Sequence, residues 1–273
     1  MMTAIDSDSL AALPRSAGVY IFRGEGTLPV YIGKSVDIRS RVMSHLRAPE
    51  EAEMIAQTRR IDFIETTGEI GALLLEARLI KAQMPLFNIR LRRVRSLCAI
   101  RLDGDVQTGL TPVMIDSKDH DLATSPGLYG LFASRHAAQR RLRELADQHR
   151  LCLALLGLEK TARRGCFGLQ IKQCLGACAG LEDRAVHDQR LFSALLDSQV
   201  QTWPFAGAVD LVETQGDWVQ RHRVSHWRYV GTLCSRTGMH AVVDKPEAFD
   251  LDSYKILVKP IMLGNACIEP VPA

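Results

Sequence analysis

Tyr20, Tyr31, Lys34, Arg41, His45 and Glu76 are the residues of this chain whose types and order could together cut a phosphodiester. A phenol can take a proton from water, and cations can neutralise the charge that gathers on phosphoryl oxygens. A carboxylate can hold a divalent ion at the leaving oxygen. Singly, each has an ordinary structural use, since tyrosine is a favoured strand residue and a helix charge is usually solvated. Their order and phase carry the chemical reading.

The elements that must position them are legible from periodicity. In Gly18 to Phe22, Val19 and Ile21 share one strand face and Tyr20 points to the other. In Val30 to Gly33, Val30 and Ile32 share a face and leave Tyr31 opposite. The link from Arg23 to Pro29 is polar and glycine-rich, so the two runs read as an antiparallel hairpin with both phenols on one face. Ser35-Val36-Asp37 offers a helix N-cap, and Ile38, Val42 and Leu46 form an i, i+4, i+8 stripe. Arg41 and His45 stack along its border facing the hairpin, while Arg39 and Arg47 are placed for solvent or a phosphate backbone. A third strand, Ile61 to Thr66, leads to a helix containing Leu73 to Ile80. Within it Glu76 has no basic residue three or four positions away, which suits a carboxylate that a divalent cation compensates. Pro85-Leu86-Phe87-Asn88 ends the helix, and Asn88 can lock the next turn through its side chain.

The ordered phrases GVY, YIG, LLLEARLIK and PLFN, with Lys34 and Arg41 between them, resemble the GIY-YIG nuclease superfamily, and specifically the N-terminal nuclease module of the excision-repair protein UvrC. YIGKSVDIRSRVMSHLR, GEIGALLLEARLIK and DSYKILVKP extend the resemblance over nearly the whole chain to the short homologues of UvrC. His45 stands where UvrC usually has tyrosine, and the short homologues resemble this chain there. The resemblance implies a metal-dependent endonuclease that incises damaged DNA 3′ to a lesion, on a complex of UvrB loaded by UvrA. The short homologues cut farther from the damage than UvrC does. It further implies Tyr20 as general base with Lys34 as its activating cation, Tyr31 orienting the scissile phosphate and Arg41 neutralising transition-state charge. His45 would hydrogen-bond a phosphate or Tyr20, Glu76 would hold one Mg²⁺ or Mn²⁺, and Asn88 would brace the site. The products would be a 3′-hydroxyl and a 5′-phosphate. Two other readings are a GIY-YIG nuclease that selects branched or specific DNA by itself, and a silent DNA- or UvrB-binding homologue on the same scaffold.

The 273 residues can hold two or three domains, and 47% hydrophobic content is ample for their cores. The expected division is 1–95 (nuclease), 96–200 (middle domain with a cysteine cluster) and 201–273 (β-rich). The expected fold class is α+β: a small antiparallel three-stranded sheet with flanking helices, a helical middle region and a small β-rich C-terminal region. Lysine and arginine number 34 against 31 aspartates and glutamates, with 14 against 11 before Ser96. So small an excess is modest for a protein that holds duplex DNA by its own charge, and it favours delivery by a partner. Arg90, Arg92 and Arg93 form the densest basic run and, with Arg39 and Arg47, are the candidate DNA-backbone contacts. The N-terminus lacks a basic region followed by an apolar core, and no apolar run approaches the ~18 residues that span a bilayer. A cytoplasmic protein is expected, without a disulfide framework.

Four of the seven cysteines, Cys152, Cys166, Cys174 and Cys178, are spaced C-x13-C-x7-C-x3-C among glycines. Four thiolates on such a loop suit zinc or an iron-sulfur cluster, with ordinary buried thiols as the alternative. The run CFGLQIKQCLGACAG is similar to the UvrC cysteine segment, which implies a [4Fe-4S] cluster. The same resemblance implies Leu128 to Phe132 as a strand or turn before a helix over Ser134 to Arg150, and a second helix, Leu181 to Gln201, is expected after the cluster. Beyond Trp203, short strands are expected at Ala208 to Thr214, Trp218 to Val224, Trp227 to Gly231 and Met239 to Val243. Trp203, Trp218 and Trp227 read as core. The chain has no room for the RNase H-like and helix-hairpin-helix domains at the C-terminus of UvrC, so one cut is expected.

Overall fold

A computed structural model describes residues 5–26, 28–89, 96–105, 108–160, 165–240 and 249–271. The basic run at 90–95 and the end of the last expected strand therefore lie outside the described residues. The chain divides into two compact units, one of residues 1–94 with 204–273 and one of residues 95–203. The β-rich C-terminal segment thus shares a unit with the nuclease segment.

In the first unit, α1 (Ser7–Ala11) precedes the hairpin of β1 (Gly18–Arg23) and β2 (Pro29–Ser35). Helices α2 (Ile38–His45) and α3 (Ala52–Gln57) follow, joined through a single 3-10 turn at Pro49–Glu51. Strand β3 (Arg60–Glu65) and the long α4 (Glu69–Gln83) complete the module. The antiparallel sheet runs in the order β2-β1-β3. Asp37 caps α2 by accepting from the Ser40 N–H at 2.8 Å. One core holds Tyr20, Phe22, Ile38, Val42, Met54 and Ile61, while Val19, Ile21 and Ile32 pack with Ile80 of α4. This is the period-two division expected of a sheet covered on both sides. Val30 departs from it. Phe22 pairs with Tyr31 and Arg23 with Pro29, which makes Val30 the extra residue of a β-bulge and puts it in the Tyr20 core rather than beside Ile32.

In the second unit, β4 (Cys98–Asp103), β5 (Thr111–Asp116) and β6 (Leu128–Phe132) form a sheet of order β5-β4-β6. Helix α5 (Arg135–His149), the one-turn α6 (Phe167–Gln170) and α7 (Arg184–Leu196) follow. Ser134 caps α5, and Arg150 ends it in the left-handed region. Leu142, Leu145, Leu191 and Leu195 pack against Ile100 and Tyr129. The helical reading of this stretch did not include β4 and β5, whose alternation is blurred by Arg101 and Asp103 pairing along the same strand at 2.6 Å.

The C-terminal segment contributes β7 (Val209–Gln215), β8 (Trp218–Ser225), β9 (Arg228–Cys234), β10 (Gly238–His240), α8 (Leu251–Met262) and β11 (Cys267–Pro270). The sheet order is β10-β9-β8-β7-β11. All three tryptophans are buried, and Trp227 stacks edge-on to Tyr254 of α8 with ring centroids 5.3 Å apart. This sheet engages α4 directly. Gly68 at the N-cap of α4 has no side chain, and the Glu213 carboxylate accepts from the Ile70 and Gly71 N–H groups at 2.9 and 2.8 Å instead. Farther along, Lys81 pairs with Asp250 at 2.7 Å.

Burial pushes the Glu213 carboxyl up. Hydrogen bonds from His222 and the Gly71 and Ile70 amides outweigh it and hold the group below the usual glutamate range. Its stabilisation is therefore complete above the ordinary glutamate pKa and is lost as pH falls through the lower folded value. Glu213→Ala is expected to lower stability by about 1–2 kcal/mol at neutral pH. Urea unfolding of both chains should show the gap closing on acidification.

Candidate active site

The hairpin register sets the site. Tyr20 stands opposite Gly33 and Phe22 opposite Tyr31, so both phenols lie on the face covered by α2. The Tyr20 ring lies over Gly33, where an added Cβ would sit 2.3 Å from the phenol oxygen. Glycine is required there by close approach, with no positive φ involved. Tyr20 is only 1% exposed, and its hydroxyl lies 2.7 Å from His45 Nε2. The His45 ring is 5.4 Å from that of Tyr20 and 5.5 Å from that of Tyr31, centroid to centroid. The other ring nitrogen, Nδ1, pairs with Glu51 at the end of the 3-10 turn.

Burial pushes the Tyr20 phenol well above the ordinary value, Tyr31 adds to this, and a hydrogen bond and charge from Arg41 oppose it. Burial also raises Tyr31, with Glu76 raising it further and Arg41 lowering it. The cation acting on both phenols is thus Arg41. The expected activation of Tyr20 by Lys34 is corrected: Lys34 stands opposite Val19 in the register, on the other sheet face, and its ammonium pairs with Glu69 at 2.5 Å.

Glu76 is half-buried on α4, and its Oε1 accepts from the Lys34 backbone N–H at 3.1 Å. Burial raises its carboxyl, and the Lys34 amide and charge oppose the rise. Its missing partner along the helix is thus found across the unit on β2. Among the described residues the second oxygen accepts no hydrogen bond, which leaves a half-buried carboxylate oxygen of the kind that ligates Mg²⁺. Asn88 bonds to β2 rather than locking its own turn: Oδ1 accepts from the Ile32 N–H at 2.9 Å and Nδ2 donates to the Ile32 carbonyl at 2.8 Å.

Arg39 donates to carbonyls of Leu10 and Ala11 at the end of α1 and of Leu13 just beyond it, at 3.2 to 3.5 Å. Arg47 is exposed just beyond α2. Arg90, Arg92 and Arg93 lie outside the described residues. Sequence reasoning missed Glu51, Glu69 and Glu213, each of which acts on another element at a spacing that no helix or strand period marks.

In the second unit, Cys152 and Cys166 lie 3.6 Å apart through sulfur and Cys166 and Cys174 3.4 Å apart. The Cys166 N–H donates to Cys178 Sγ at 3.3 Å. Cys152, Cys166 and Cys178 bring their sulfurs within 4.8 Å of one another, a donor set fit for a metal centre. Burial pushes the Cys174 and Cys178 thiols up to about 12. Burial also raises Cys166, but hydrogen bonds from Cys174 and the Leu169 amide bring it below the free value. A bound cation would allow all four to ionise.

This site sits in a segment, residues 16–89, that matches the UvrC-like GIY-YIG domain. Residues 97–197 match the UvrC/Cho excinuclease middle domain and residues 208–273 the excinuclease Cho C-terminal domain. Excinuclease cho of Escherichia coli K12 is 49% identical over 93% of this chain and 85% of its own length. That of Salmonella typhimurium is 48% identical over 94% and 86%. UvrABC system protein C of Thermus thermophilus is 33% identical over 71% of this chain and 32% of its own. A solved structure, the N-terminal endonuclease domain of UvrC from Thermotoga maritima bound to magnesium, is 29% identical over 31% of this chain and 99% of its own, with a TM-score of 0.28. The fold and the domain matches define a UvrC-like endonuclease. The chain belongs to the excinuclease Cho family.

Gly33→Ala is expected to displace Tyr20 from His45 and lower the unfolding temperature by several degrees, because the new methyl overlaps a buried ring. Thermal unfolding checks the second effect, and the fluorescence or ring resonances of Tyr20 check the first.

Proposed function

We propose that this chain makes the 3′ incision near a lesion in UvrB-bound damaged DNA, in the cytoplasm, as one metal-dependent cut leaving a 3′-hydroxyl and a 5′-phosphate. The carrying observation is the convergence of a buried phenol, an imidazole and a guanidinium at one place on the sheet. The charge of Glu76 raises both phenols.

Tyr20 receives the proton of the attacking water. Arg41 is the cation that opposes the burial penalty on that phenol, and it also faces the charge that grows on the phosphoryl oxygens. Tyr31, half-exposed beside Tyr20, orients the scissile phosphate. Lys34 holds the N-terminal turn of α4 through Glu69 and offers its amide to Glu76, so it fixes the carboxylate. Asn88 keeps β2 in register beneath Tyr31. Glu76 would hold Mg²⁺ or Mn²⁺, which when bound stabilises the leaving 3′-oxygen. The four cysteines would hold an iron-sulfur cluster, with zinc as the alternative, far along the chain from the cutting residues. Arg47 and the basic run at 90–95 would follow the DNA backbone, whereas Arg39 already ties α2 to the end of α1.

The deciding experiment incubates the protein with lesion-bearing duplex, Mg²⁺, UvrA and UvrB and maps any nick. A cut on the 3′ side that needs UvrB supports the reading. A cut in branched DNA without UvrB would instead assign a self-directed nuclease, and no cut at all a silent homologue.

Glu76→Gln should abolish nicking while DNA association and unfolding temperature stay near wild type. Tyr20→Phe should lower the single-turnover rate by about 10² or more with little change in binding. Protein purified without oxygen should be brown and contain iron and sulfide. Cys174→Ser should lose both, along with solubility. Zinc without sulfide would replace the cluster with a structural zinc site.

A further inference from the structure

The second nitrogen of His45 faces a residue outside every motif. His45 is 2% exposed at the end of α2, and its Nδ1 meets the carboxylate of Glu51, six residues on. Glu51 is held there by the 3-10 turn: its own N–H donates to the Ala48 carbonyl and that of Ala48 to the His45 carbonyl, each at 3.1 Å. A neutral imidazole carries one N–H donor and one bare nitrogen, and an ionised carboxylate can only accept. Glu51 therefore takes the hydrogen of Nδ1. In the neutral ring Nε2 is then left bare, 2.7 Å from the Tyr20 hydroxyl, and the phenol donates to it.

We propose that Glu51 is a positioning residue for DNA cleavage: it fixes His45 in the Nδ1–H tautomer so that Nε2 accepts the Tyr20 proton as Tyr20 deprotonates the attacking water. The inference rests on the nuclease reading above and deepens it. As the water oxygen bonds to phosphorus and the P–O3′ bond breaks, one water proton moves to Tyr20 Oη and the phenolic proton moves to His45 Nε2. The leaving oxygen takes its proton from solvent. The imidazolium is stabilised by Glu51 and returns its proton through Tyr20 once product has left. No electrons are exchanged.

The arrangement answers a difficulty in the site itself. Burial and Tyr31 disfavour a standing Tyr20 phenolate, so the phenol needs an acceptor for its proton at the moment of attack. The charged and titratable groups facing this chain of atoms are Tyr20 from β1, Tyr31 from β2, Glu51 from the 3-10 turn and Arg41 one turn earlier on α2. Glu76 of α4 acts on both phenols. The pH dependence of cutting belongs to this set together.

The test uses the full chain with lesion-bearing duplex, Mg²⁺, UvrA and UvrB, measuring single-turnover nicking against pH for wild type, Glu51→Gln and Glu51→Ala. In parallel, nitrogen-15 resonances of the histidine rings, assigned by comparison with His45→Gln, report the tautomer. Expected are a loss of about tenfold or more in rate for both variants. The pH profile of both variants should differ from that of the wild type, since the carboxylate that meets His45 Nδ1 is gone. The wild-type ring should be in the Nδ1–H form, and Glu51→Ala should be a mixture. Glu51→Gln retains the size of the side chain if Glu51→Ala folds poorly. Wild-type rates in both variants, hydrogen on Nε2 in the wild type, or a loss of rate with pH profile and tautomer unmoved would overturn the inference and leave the nuclease reading intact. A wild-type chain that never nicks, indistinguishable from Glu76→Gln, would overturn both.

Discussion

The Glu213 carboxylate, seated on the first N–H groups of α4, joins segments 142 and 143 residues apart and gives the nuclease helix its missing cap. Much of the first unit depends on it. Helix α4 carries Glu76 to the Lys34 amide, sets Ile80 under the sheet and holds Glu69 against Lys34, so its position sets those of a carboxylate, a core face and an ion pair. The close approach explains two small residues. At Gly68 a Cβ would meet Glu213 Oε1 at 2.3 Å, and at Gly71 it would meet His222 Cε1 at 2.6 Å. His222 in turn bonds Glu213 through Nε2 at 3.1 Å and Thr232 through Nδ1 at 2.8 Å, so the capping carboxylate is itself oriented by the sheet that delivers it. The C-terminal sheet is in this sense part of the nuclease module's architecture.

The opposite face of the small sheet works differently. There the polar groups are enclosed: Tyr20 and His45 are nearly inaccessible and each finds its partner within the core. Burying a phenol and an imidazole without partners would cost several kcal/mol, so the pair is stable only as a connected set. That connection suits a site whose parts must not shift between turnovers. Arg41, exposed on α2, gives the enclosed set a cationic contact with the surface side.

How much of this was readable in advance follows from the range of each signal. The hairpin and the shared face of Tyr20 and Tyr31 were legible because strand alternation is local and strict. The cap at Asp37 and the buried Ile38 and Val42 were legible for the same reason. Val30 was misplaced because a bulge shifts the alternation without any signature in composition. Lys34 next to YIG looked like a partner for Tyr20, yet one residue's displacement along a strand sends a side chain to the other face. The lone carboxylate of Glu76 was visible, but its partner was a backbone amide, which every residue has and which sequence therefore cannot single out. Glu51 and Glu213 were hidden because their partners are set by tertiary approach. Strands β4 and β5 were obscured by Arg101, Asp103 and Asp116, partly buried charges that interrupt the apolar pattern.

Asn88 has a consequence beyond bracing. Strand β2 is an edge of its sheet, and an edge strand presents unpaired amides and carbonyls on which a foreign strand can register. The Asn88 side chain occupies both backbone groups of Ile32, and the Phe87 and Leu86 amides bond the carbonyls of Val30 and Pro29 at 2.9 and 3.3 Å. The segment after α4 thereby shields the open side of the hairpin, a guard against self-templated aggregation.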